Sequence, residues 1–457
     1  MPSRSDQICY YLDIKSFFEN SSIHAGIIGD ENVSKLGEVG VHGPGYSIFY
    51  GIISKIFGFH DKLMIWLNLL FLILTFVVLW FSKKFSRNDF FLLATIQLSF
   101  FITLWSSFSY SPDLMHIFIA NMAAIQLINL AKTFEANQND LNKQIYFFVC
   151  LILLASFFRY SWVLAIVGIL PFSKNKKDFF KNLLICFFVI AIGLIYLKLF
   201  HAPYYDAVLS ICSELIKADN FYACGSLIKQ NIFSNLQMFF FQYHYSNYSN
   251  YYFLSKIFII IVTLFLVNKY IKEKNKLAFS IILITLSHML SLIVLWYAYD
   301  TREIRGLTPS LIMGILILIY LKRKKLISVF AILFILVFPL TLKDFHYKFY
   351  DLSIESGRIY SSFNSDFFKK LPANNYSKII TVLIPERFFW TPMPNRNPLT
   401  IKDILHTRAL GFPLKNFQGV PIRYTVNNSS VPPYYLHQKI KVDYVLDLEN
   451  QRIITLK

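Results

Sequence analysis

Acidic residues are scarce in this sequence: Asp and Glu number 27 against 45 Lys and Arg, a formal net charge of +18 over 457 residues. The excess lysine does not gather on one soluble domain. It lies in short connections between apolar stretches, where basic residues set membrane orientation, and this argues against nucleic-acid binding. Hydrophobic residues make up 55% of the chain and aromatic residues 18%. Such a composition excludes an ordinary soluble enzyme and predicts membrane lipids as partners.

Cysteine is scarce as well. None of the five cysteines has the CxxC spacing of a metal site. Cys150 and Cys186 lie inside apolar runs and are interpreted as small packing residues. Cys212 and Cys224 fall in the same long loop, where they could form a disulfide, although their spacing alone does not establish one.

Charged residues are nearly missing from ten apolar segments, which predicts an α-helical polytopic membrane protein. Every second connection is rich in Lys and Arg, whereas the intervening short connections contain only Arg159, Arg302 and Arg305. Basic loops remain in the cytoplasm, so this alternation fixes the orientation. The predicted segments are 62–82, 88–108, 114–131, 145–158, 160–173, 182–200, 252–268, 277–298, 306–321 and 326–343.

Arg159 interrupts a stretch that could otherwise be one long span. Merging 145–158 with 160–173 would place two lysine-rich loops outside, so we predict two antiparallel half-length helices with Arg159 at the turn. Fourteen helical residues reach only ~21 Å of a ~30 Å hydrocarbon core. Arg159 is therefore expected to be recessed beside a polar cavity or an anionic partner.

The charge pattern divides the chain into three regions. Residues 1–61 form an external loop with short interfacial helices, residues 62–343 form the transmembrane domain, and residues 344–457 form a small external α/β domain. Residues 1–61 have no signal sequence, so we expect a first transmembrane helix to be missing before them. We predict multi-pass insertion in the bacterial inner (plasma) membrane, with the C-terminal domain outside the cytoplasm. Its predicted strands are 377–384, 440–448 and 452–456, the last two joined as a hairpin.

Polar residues gather on the predicted external face. Any one of them is explained by the wetness of loops, but their convergence on one face is harder to dismiss. Carboxylates and arginines beside a membrane suit a reaction in which a base activates a hydroxyl and cations hold a departing phosphate. The candidates are Asp6, Asp13, His42, Asp113, His116, Arg159, Arg302 and Arg305.

Several stretches resemble motifs of GT-C glycosyltransferases, such as the protein O-mannosyltransferases and the lipid A aminoarabinose transferases. Asp6-Gln7-Ile8-Cys9-Tyr10 is similar to their D-E-x-x-Y stretch, and His42-Gly43-Pro44-Gly45-Tyr46 to their H-x-P-x-Y motif. Ser111-Pro112-Asp113 resembles a second acidic position. Phe158-Arg159-Tyr160 resembles the basic residue between two short helices, and the run from Arg302 to Pro309 resembles R-Y-x-x-P. The resemblance covers residues 6–340 in order.

The resemblance implies an inverting transfer of a sugar from a polyprenyl-phosphate donor to a glycan, lipid or protein acceptor. Asp6 matches the catalytic base, with Asp13 or Asp113 as a second acid. Arg159, Arg302 and Arg305 match positions that neutralise the departing phosphate, and His42 and Tyr46 belong to the donor or acceptor loop. Two positions depart from the family pattern. Gln7 replaces the usual Glu, and Gly306 follows Arg305 where Tyr is common.

No cofactor is implied with certainty. Asp113 and His116, at i and i+3, could share a divalent metal on one helix face, although a carboxylate at a helix start also simply complements the helix dipole. His288, inside an apolar run, is interpreted as a hydrogen-bonded packing residue.

Three other classes of protein remain open. A transporter of lipid-linked sugars would predict midplane charges and duplicated halves, which this sequence lacks. A polysaccharide polymerase or ligase would predict a late external loop with arginines and a histidine, whereas loop 201–251 contains no arginine. A structural or sensory membrane protein is opposed only by the ordered motifs.

Overall fold

The computed structural model describes the chain in segments, and the fold is given over these residues. They are 10, 13–14, 17–18, 21, 23, 27–29, 44–60, 62–100, 103, 106–107, 111–136, 140–200, 208–240, 249–295, 306–322, 324–346, 380–385, 422–427, 444–447 and 452–455.

The described part of the chain is mostly helical. The α-helices are α1 Pro44–Phe57, α2 Leu63–Phe81, α3 Arg87–Ser99, α4 Asp113–Glu135, α5 Leu141–Phe158, α6 Lys176–Phe200, α7 Val208–Lys217, α8 Phe221–Phe240, α9 Ser249–Glu273, α10 Lys276–Leu295, α11 Thr308–Tyr320 and α12 Lys324–His346. A 3-10 helix, Tyr160–Phe172, follows α5. In this part of the chain, Tyr10, Asp13, Ile14, Phe17 and Phe18 are also helical, in agreement with the short N-terminal helix expected from the sequence.

Within the described residues, five helices are long and apolar enough to cross a membrane, by length and composition: Leu63–Phe81, Asp113–Glu135, Leu141–Phe158, Lys176–Leu197 and Lys276–Val294. Their outer surfaces carry large apolar side chains that a soluble protein would bury; Trp66, for example, is 64% exposed on α2. The buried core lies between α4, the 3-10 helix, α10 and α11. A bundle with an apolar outside and a packed inside is what lipid requires, because lipid tails solvate the outer face.

Each of the ten predicted segments overlaps a helix, but the bounds differ, most informatively at two of them. The segment 88–108 was predicted as one helix, whereas α3 ends at Ser99 because Phe100 has an extended backbone (φ −73°, ψ 126°). The predicted half-length helix 145–158 is longer, since α5 has 18 residues from Leu141. Its partner is a 3-10 helix of 13 residues. At ~1.5 and ~2.0 Å per residue the two reach ~27 and ~26 Å, so both are longer than the ~21 Å of the half-length helices that the sequence predicts.

Contacts between helices give the bundle two distinct ends. The 3-10 helix runs alongside α4 in the same direction, since Trp162 contacts His116 near the start of α4 and Phe172 contacts Phe134 near its end. Helix α10 runs the opposite way, because Lys276 at its start lies over Phe134 near the end of α4, whereas His288, farther along α10, contacts the carbonyl of Ser161. Helix α5 is likewise reversed, as Gln126 of α4 donates to Gln144 near the start of α5.

One end, here called the lysine end, contains Lys84, Lys132, Lys276 and Tyr320. The Lys132 ammonium lies 5.8 Å from the Tyr320 ring centroid, and that of Lys276 lies 3.9 Å from the ring centroid of Phe134. Burial, and then the charge of Lys132, lower the pKa of Lys84. The opposite end, here called the site end, contains Tyr46, Asp113, Arg159 and His288. The two faces that the loop charges predict are therefore opposite ends of one bundle.

Five strands form one sheet in the order β1-β3-β2-β4-β5. They are β1 Ile27–Gly29, β2 Ile380–Pro385, β3 Ile422–Asn427, β4 Tyr444–Asp447 and β5 Arg452–Thr455. The expected hairpin is present, because β4 and β5 pair antiparallel. The sequence did not predict β3, nor that β1 would pair in parallel with it. The sheet thus joins the N-terminal region to the C-terminal region.

Candidate active site

Tyr46 lies at the start of α1, where several aromatic side chains enclose it. It is 3% exposed, and its ring centroid lies 5.2 Å from that of Tyr10 and 5.9 Å from that of Phe158. The adjacent glycine explains how α1 approaches α5 so closely. A Cβ on Gly45 would lie 2.1 Å from the carbonyl oxygen of Phe157, so only glycine fits there without displacing backbone.

His116, in the first turn of α4, links two other elements. Its Nε2 is hydrogen-bonded to the Tyr46 hydroxyl, and its Nδ1 accepts from the indole N–H of Trp162 at 3.1 Å. Trp162 is 1% exposed and His116 is 3% exposed. Both nitrogens of the imidazole are therefore engaged, and as a metal ligand His116 would first have to give up one of these hydrogen bonds.

Asp113 begins α4 on the same end of the bundle. Its Oδ2 accepts a hydrogen bond from the Ser111 hydroxyl at 2.6 Å, and the Ser106 hydroxyl lies 3.4 Å away. The carboxylate is 8% exposed. A carboxylate at the start of a helix is stabilised by hydrogen bonds from hydroxyl groups and by the helix dipole. Within the described part of the chain, no three His, Cys, Asp or Glu side chains come together as a metal site.

Arg159 occupies the break between α5 and the 3-10 helix. Its backbone is extended (φ −147°, ψ 109°), which ends the α-helix. Its amide donates to the carbonyl of Ala155 and its carbonyl accepts from the amide of Trp162, both at 3.0 Å. The side chain is half-buried. This break is where the sequence predicted it, and it brings Arg159 near Tyr46.

The pKa of Tyr46 reflects both its burial and the nearby charge of Arg159. Burial is the largest influence and raises the pKa of Tyr46 well above its ordinary value, with Tyr10 and Asp113 acting in the same direction. Arg159 acts oppositely and lowers the pKa. Because burial dominates, the Tyr46 hydroxyl remains protonated.

Asp13, a candidate second acid, is buried on the N-terminal helix, with 5% exposure. That helix lies along α1. Phe17 closely approaches Gly51, Phe18 packs on Phe59 at 5.6 Å between ring centroids, and Lys55 lies 5.4 Å above the Phe17 ring. Of the predicted site residues, Asp6, His42, Arg302 and Arg305 lie outside the described residues.

Two side chains of the site carried no role in the sequence motifs. Trp162 stands three residues after Arg159, and a Trp inside an apolar run gives no signal beyond packing. His288 was interpreted as a packing residue, and it is one: its Nδ1 and the Ser310 hydroxyl are 2.6 Å apart, and its Nε2 lies 3.1 Å from the carbonyl of Ser161. It ties α10 and α11 to the start of the 3-10 helix.

No protein-family model matches the chain. No curated protein matches it either. Its fold is similar to solved structures of the oligosaccharyltransferase of Archaeoglobus fulgidus. The structure with Zn and sulfate shares 11% identity at a TM-score of 0.46, covering 84% of this chain and 56% of that one.

Two further structures of that enzyme give similar values. The one tethered to an acceptor peptide with the NVT sequon has 12% identity and a TM-score of 0.47, covering 83% of this chain and 58% of that one. The one with an inhibitory peptide and a dolichol-phosphate has 11% identity and a TM-score of 0.45, with the same coverage. This chain thus spans little more than half of their length, and a likeness at this level carries no argument about activity.

Proposed function

We propose that the chain is a membrane glycosyltransferase that moves a sugar from a polyprenyl-phosphate donor to an acceptor on the external face. The observation that carries the proposal is the convergence of three elements at the site end. Tyr46 from α1, Asp113 with His116 from α4, and Arg159 from the α5 break meet there, opposite the lysine end. An acid, a hydroxyl and a guanidinium at one membrane face suit sugar transfer from a phosphate.

Asp6 is the proposed catalytic base. It precedes Tyr10 by four residues, and four residues span at most ~14 Å, so the chain keeps it near the Tyr10–Tyr46 contact. The carboxylate takes a proton from the acceptor nucleophile as that atom bonds to the anomeric carbon. The bond from that carbon to the phosphate oxygen breaks, and the configuration inverts. Asp13 and Asp113 are alternative acids at the same end.

The departing phosphate gains negative charge, and the proposal assigns its stabilisation to arginines. Arg159 lies at the site end, and its planar guanidinium can hold two phosphate oxygens at once. Arg305 lies three residues before the start of α11 at Thr308, and Arg302 lies three residues earlier still.

The finer arrangement in the membrane belongs to the same proposal. All ten predicted segments cross the bilayer of a bacterial plasma membrane, with the site end and the C-terminal α/β domain outside the cytoplasm. The acceptor is a glycan, lipid or protein. His42, two residues before α1, lies on the donor or acceptor loop.

Replacement of Asp6 tests the function. A deletion strain is complemented with wild-type protein, with Asp6→Asn or with Asp140→Asn, and surface glycans are compared by mass spectrometry. Asp140 is an exposed acid at the N-terminus of α5, on the lysine end. We expect Asp6→Asn to lower transfer by about 10²- to 10⁴-fold, the usual contribution of a general base. Asp140→Asn should restore the wild-type glycans. Full transfer by correctly inserted Asp6→Asn protein would overturn the assignment.

A further inference from the structure

The buried side chains Trp162, His116 and Tyr46 form a hydrogen-bonded row with a fixed direction. The indole N–H of Trp162 can only donate, so His116 Nδ1 must accept. A neutral imidazole has one donor and one acceptor nitrogen, which places its proton on Nε2. That N–H therefore donates to the oxygen of the Tyr46 hydroxyl. One indole thus selects the tautomer of a histidine and, through it, the role of a tyrosine.

The row leaves one proton without an assigned acceptor. Since the Tyr46 oxygen accepts from His116, its own O–H must point elsewhere. Within the residues that the structure describes, His116 is the one hydrogen-bond partner of this hydroxyl. Tyr46 is 3% exposed, and a buried hydroxyl donor with nothing to donate to is costly. The site is therefore built to offer this proton to a group from outside the row.

The neighbouring charges indicate what that group is. Arg159 is close enough to act on Tyr46 electrostatically, and Asp113 and Tyr10 act on it from the other elements packed there. Asp113 Oδ2 accepts from Ser111 instead. A protonated phenol beside a guanidinium provides two donors for one anionic oxygen, and a phosphate offers such oxygens in several directions.

We propose that Trp162 and His116 are positioning residues that hold the Tyr46 hydroxyl as a hydrogen-bond donor to a phosphate oxygen of the lipid-linked substrate, beside Arg159. The inference rests on the proposed function for the identity of the substrate. The direction of the hydrogen bonds from Trp162 through His116 to Tyr46 does not depend on the proposed function, and it can be tested separately.

Nuclear magnetic resonance of the full-length protein, with ¹⁵N-labelled histidine in phosphatidylcholine nanodiscs, tests the direction. We expect the wild-type His116 proton on Nε2 and a mixture of tautomers in Trp162→Phe, which loses the indole donor. His288 is an internal reference. Its Nε2 donates to the Ser161 carbonyl, so its signal should not change. A proton on Nδ1 of wild-type His116 would contradict the proposed direction of these hydrogen bonds, whether or not the protein transfers sugar.

Binding of farnesyl phosphate to the same nanodiscs, measured by calorimetry, tests the phosphate contact. We expect Tyr46→Phe to weaken binding by about tenfold, as for one hydrogen bond to a charged group, and Trp162→Phe by about threefold. Tyr50→Phe removes a buried hydroxyl one turn along α1 that bonds Asn68, and Trp66→Phe removes an exposed indole. Both controls should bind like the wild type.

Two further ligands separate the phosphate from its lipid chain. Inorganic phosphate should lose affinity in the same variants as farnesyl phosphate, and the affinity for farnesol should be equal in all of them. Unchanged binding of farnesyl phosphate in folded Tyr46→Phe and Trp162→Phe would overturn the contact, as would a wild-type protein that does not bind it. Loss of sugar transfer in Asp6→Asn with phosphate binding intact would support both proposals, because the two steps use different residues.

Discussion

Arg159 shows how a single backbone break can hold a charged side chain at one end of a helical bundle. Its amide and carbonyl are both bonded to the helices on either side, so the side chain is held at a fixed junction rather than on a free loop. A charged side chain inside the hydrocarbon would be expensive. It lies instead at the junction of the two helices, at the site end of the bundle.

The role of Arg159 in donor binding can be measured with two substitutions. We expect Arg159→Ala to raise the KM for the lipid-linked donor by about 10- to 100-fold, because a hydrogen-bonded charge contact contributes ~1.5–3 kcal/mol. Arg159→Lys should recover part of that loss, since lysine keeps the charge without the planar fork. Arg87→Ala, which removes a cation at the start of α3 that lies over the Phe91 ring, serves as the control. Equal kinetics in all three variants would assign Arg159 a purely structural role.

The α7–α8 hairpin is the most distinct element outside the apolar helices. Cys212 of α7 and Cys224 of α8 form a disulfide, with their Cα atoms 4.9 Å apart. The hairpin is fastened to α10 through amides: Asn231 Nδ2 donates to the carbonyl of Val294, and Asn235 Nδ2 to that of Ile293, both at 2.9 Å. These carbonyls belong to the last turn of α10, where helical partners run out. The hairpin therefore caps the site end of α10.

Alkylation of the cysteines tests the hairpin and its compartment together. Disulfides persist in oxidising compartments and are rare in the cytosol. In protein denatured without reductant, we expect alkylation of Cys150 and Cys186, the free cysteines of the described chain. Cys212 and Cys224 should react only after reduction, as mass spectrometry of the peptides would show.

The double variant Cys212→Ser/Cys224→Ser measures how much the disulfide stabilises the α7–α8 hairpin. Closing a loop with a sequence separation of 12 residues stabilises by roughly 3 kcal/mol in the chain-entropy model. The turn between α7 and α8 should become a site of early proteolysis in this variant. Cys150→Ser, on α5, should leave the protease pattern unchanged. Alkylation of Cys212 and Cys224 without reductant would contradict both the bond and the external placement.

At the scale of the whole molecule, we predict that connections at the two ends of the bundle differ in their accessibility to a membrane-impermeant reagent in intact cells. In a variant without native cysteines, Lys174→Cys and Ala218→Cys place single exposed thiols in connections at different positions of the chain. In intact cells, a membrane-impermeant maleimide should label the thiol at 218 and not the one at 174. Permeabilised cells should show labelling of both. The reverse pattern would invert the orientation and move the site end to the cytoplasm.

Much of the helical framework is predictable because lipid imposes it. The length of the apolar runs follows from the thickness of the bilayer, and the alternation of lysine-rich connections follows from the preference of basic loops for the cytoplasm. The break at Arg159 was predicted from the number of basic residues in these connections. The extent of α5 was underestimated, since Leu141 to Gln144 are too polar to be counted as apolar although they continue the helix. The 3-10 geometry after Arg159 has no clear signature in the sequence.

The contacts within the site were less predictable. Tyr46, His116 and Trp162 stand 70 and 46 positions apart, and no pattern in one sequence pairs a particular histidine with a particular indole. The alternation of basic loops placed residues 1–61 and Asp113 on one face, and the structure brings Tyr46 and Asp113 to the site end. Trp162 was given no role from the sequence, because an aromatic residue in an apolar run is ordinarily a packing residue.

The pairing of β1 with β3 sets an order of events during synthesis. Ile27–Gly29 is made early, but its parallel partner, Ile422–Asn427, is made only when the chain is almost complete. The N-terminal strand therefore has no partner while the intervening helices are synthesised. The sheet is completed last, so it cannot form until nearly every residue has been translated.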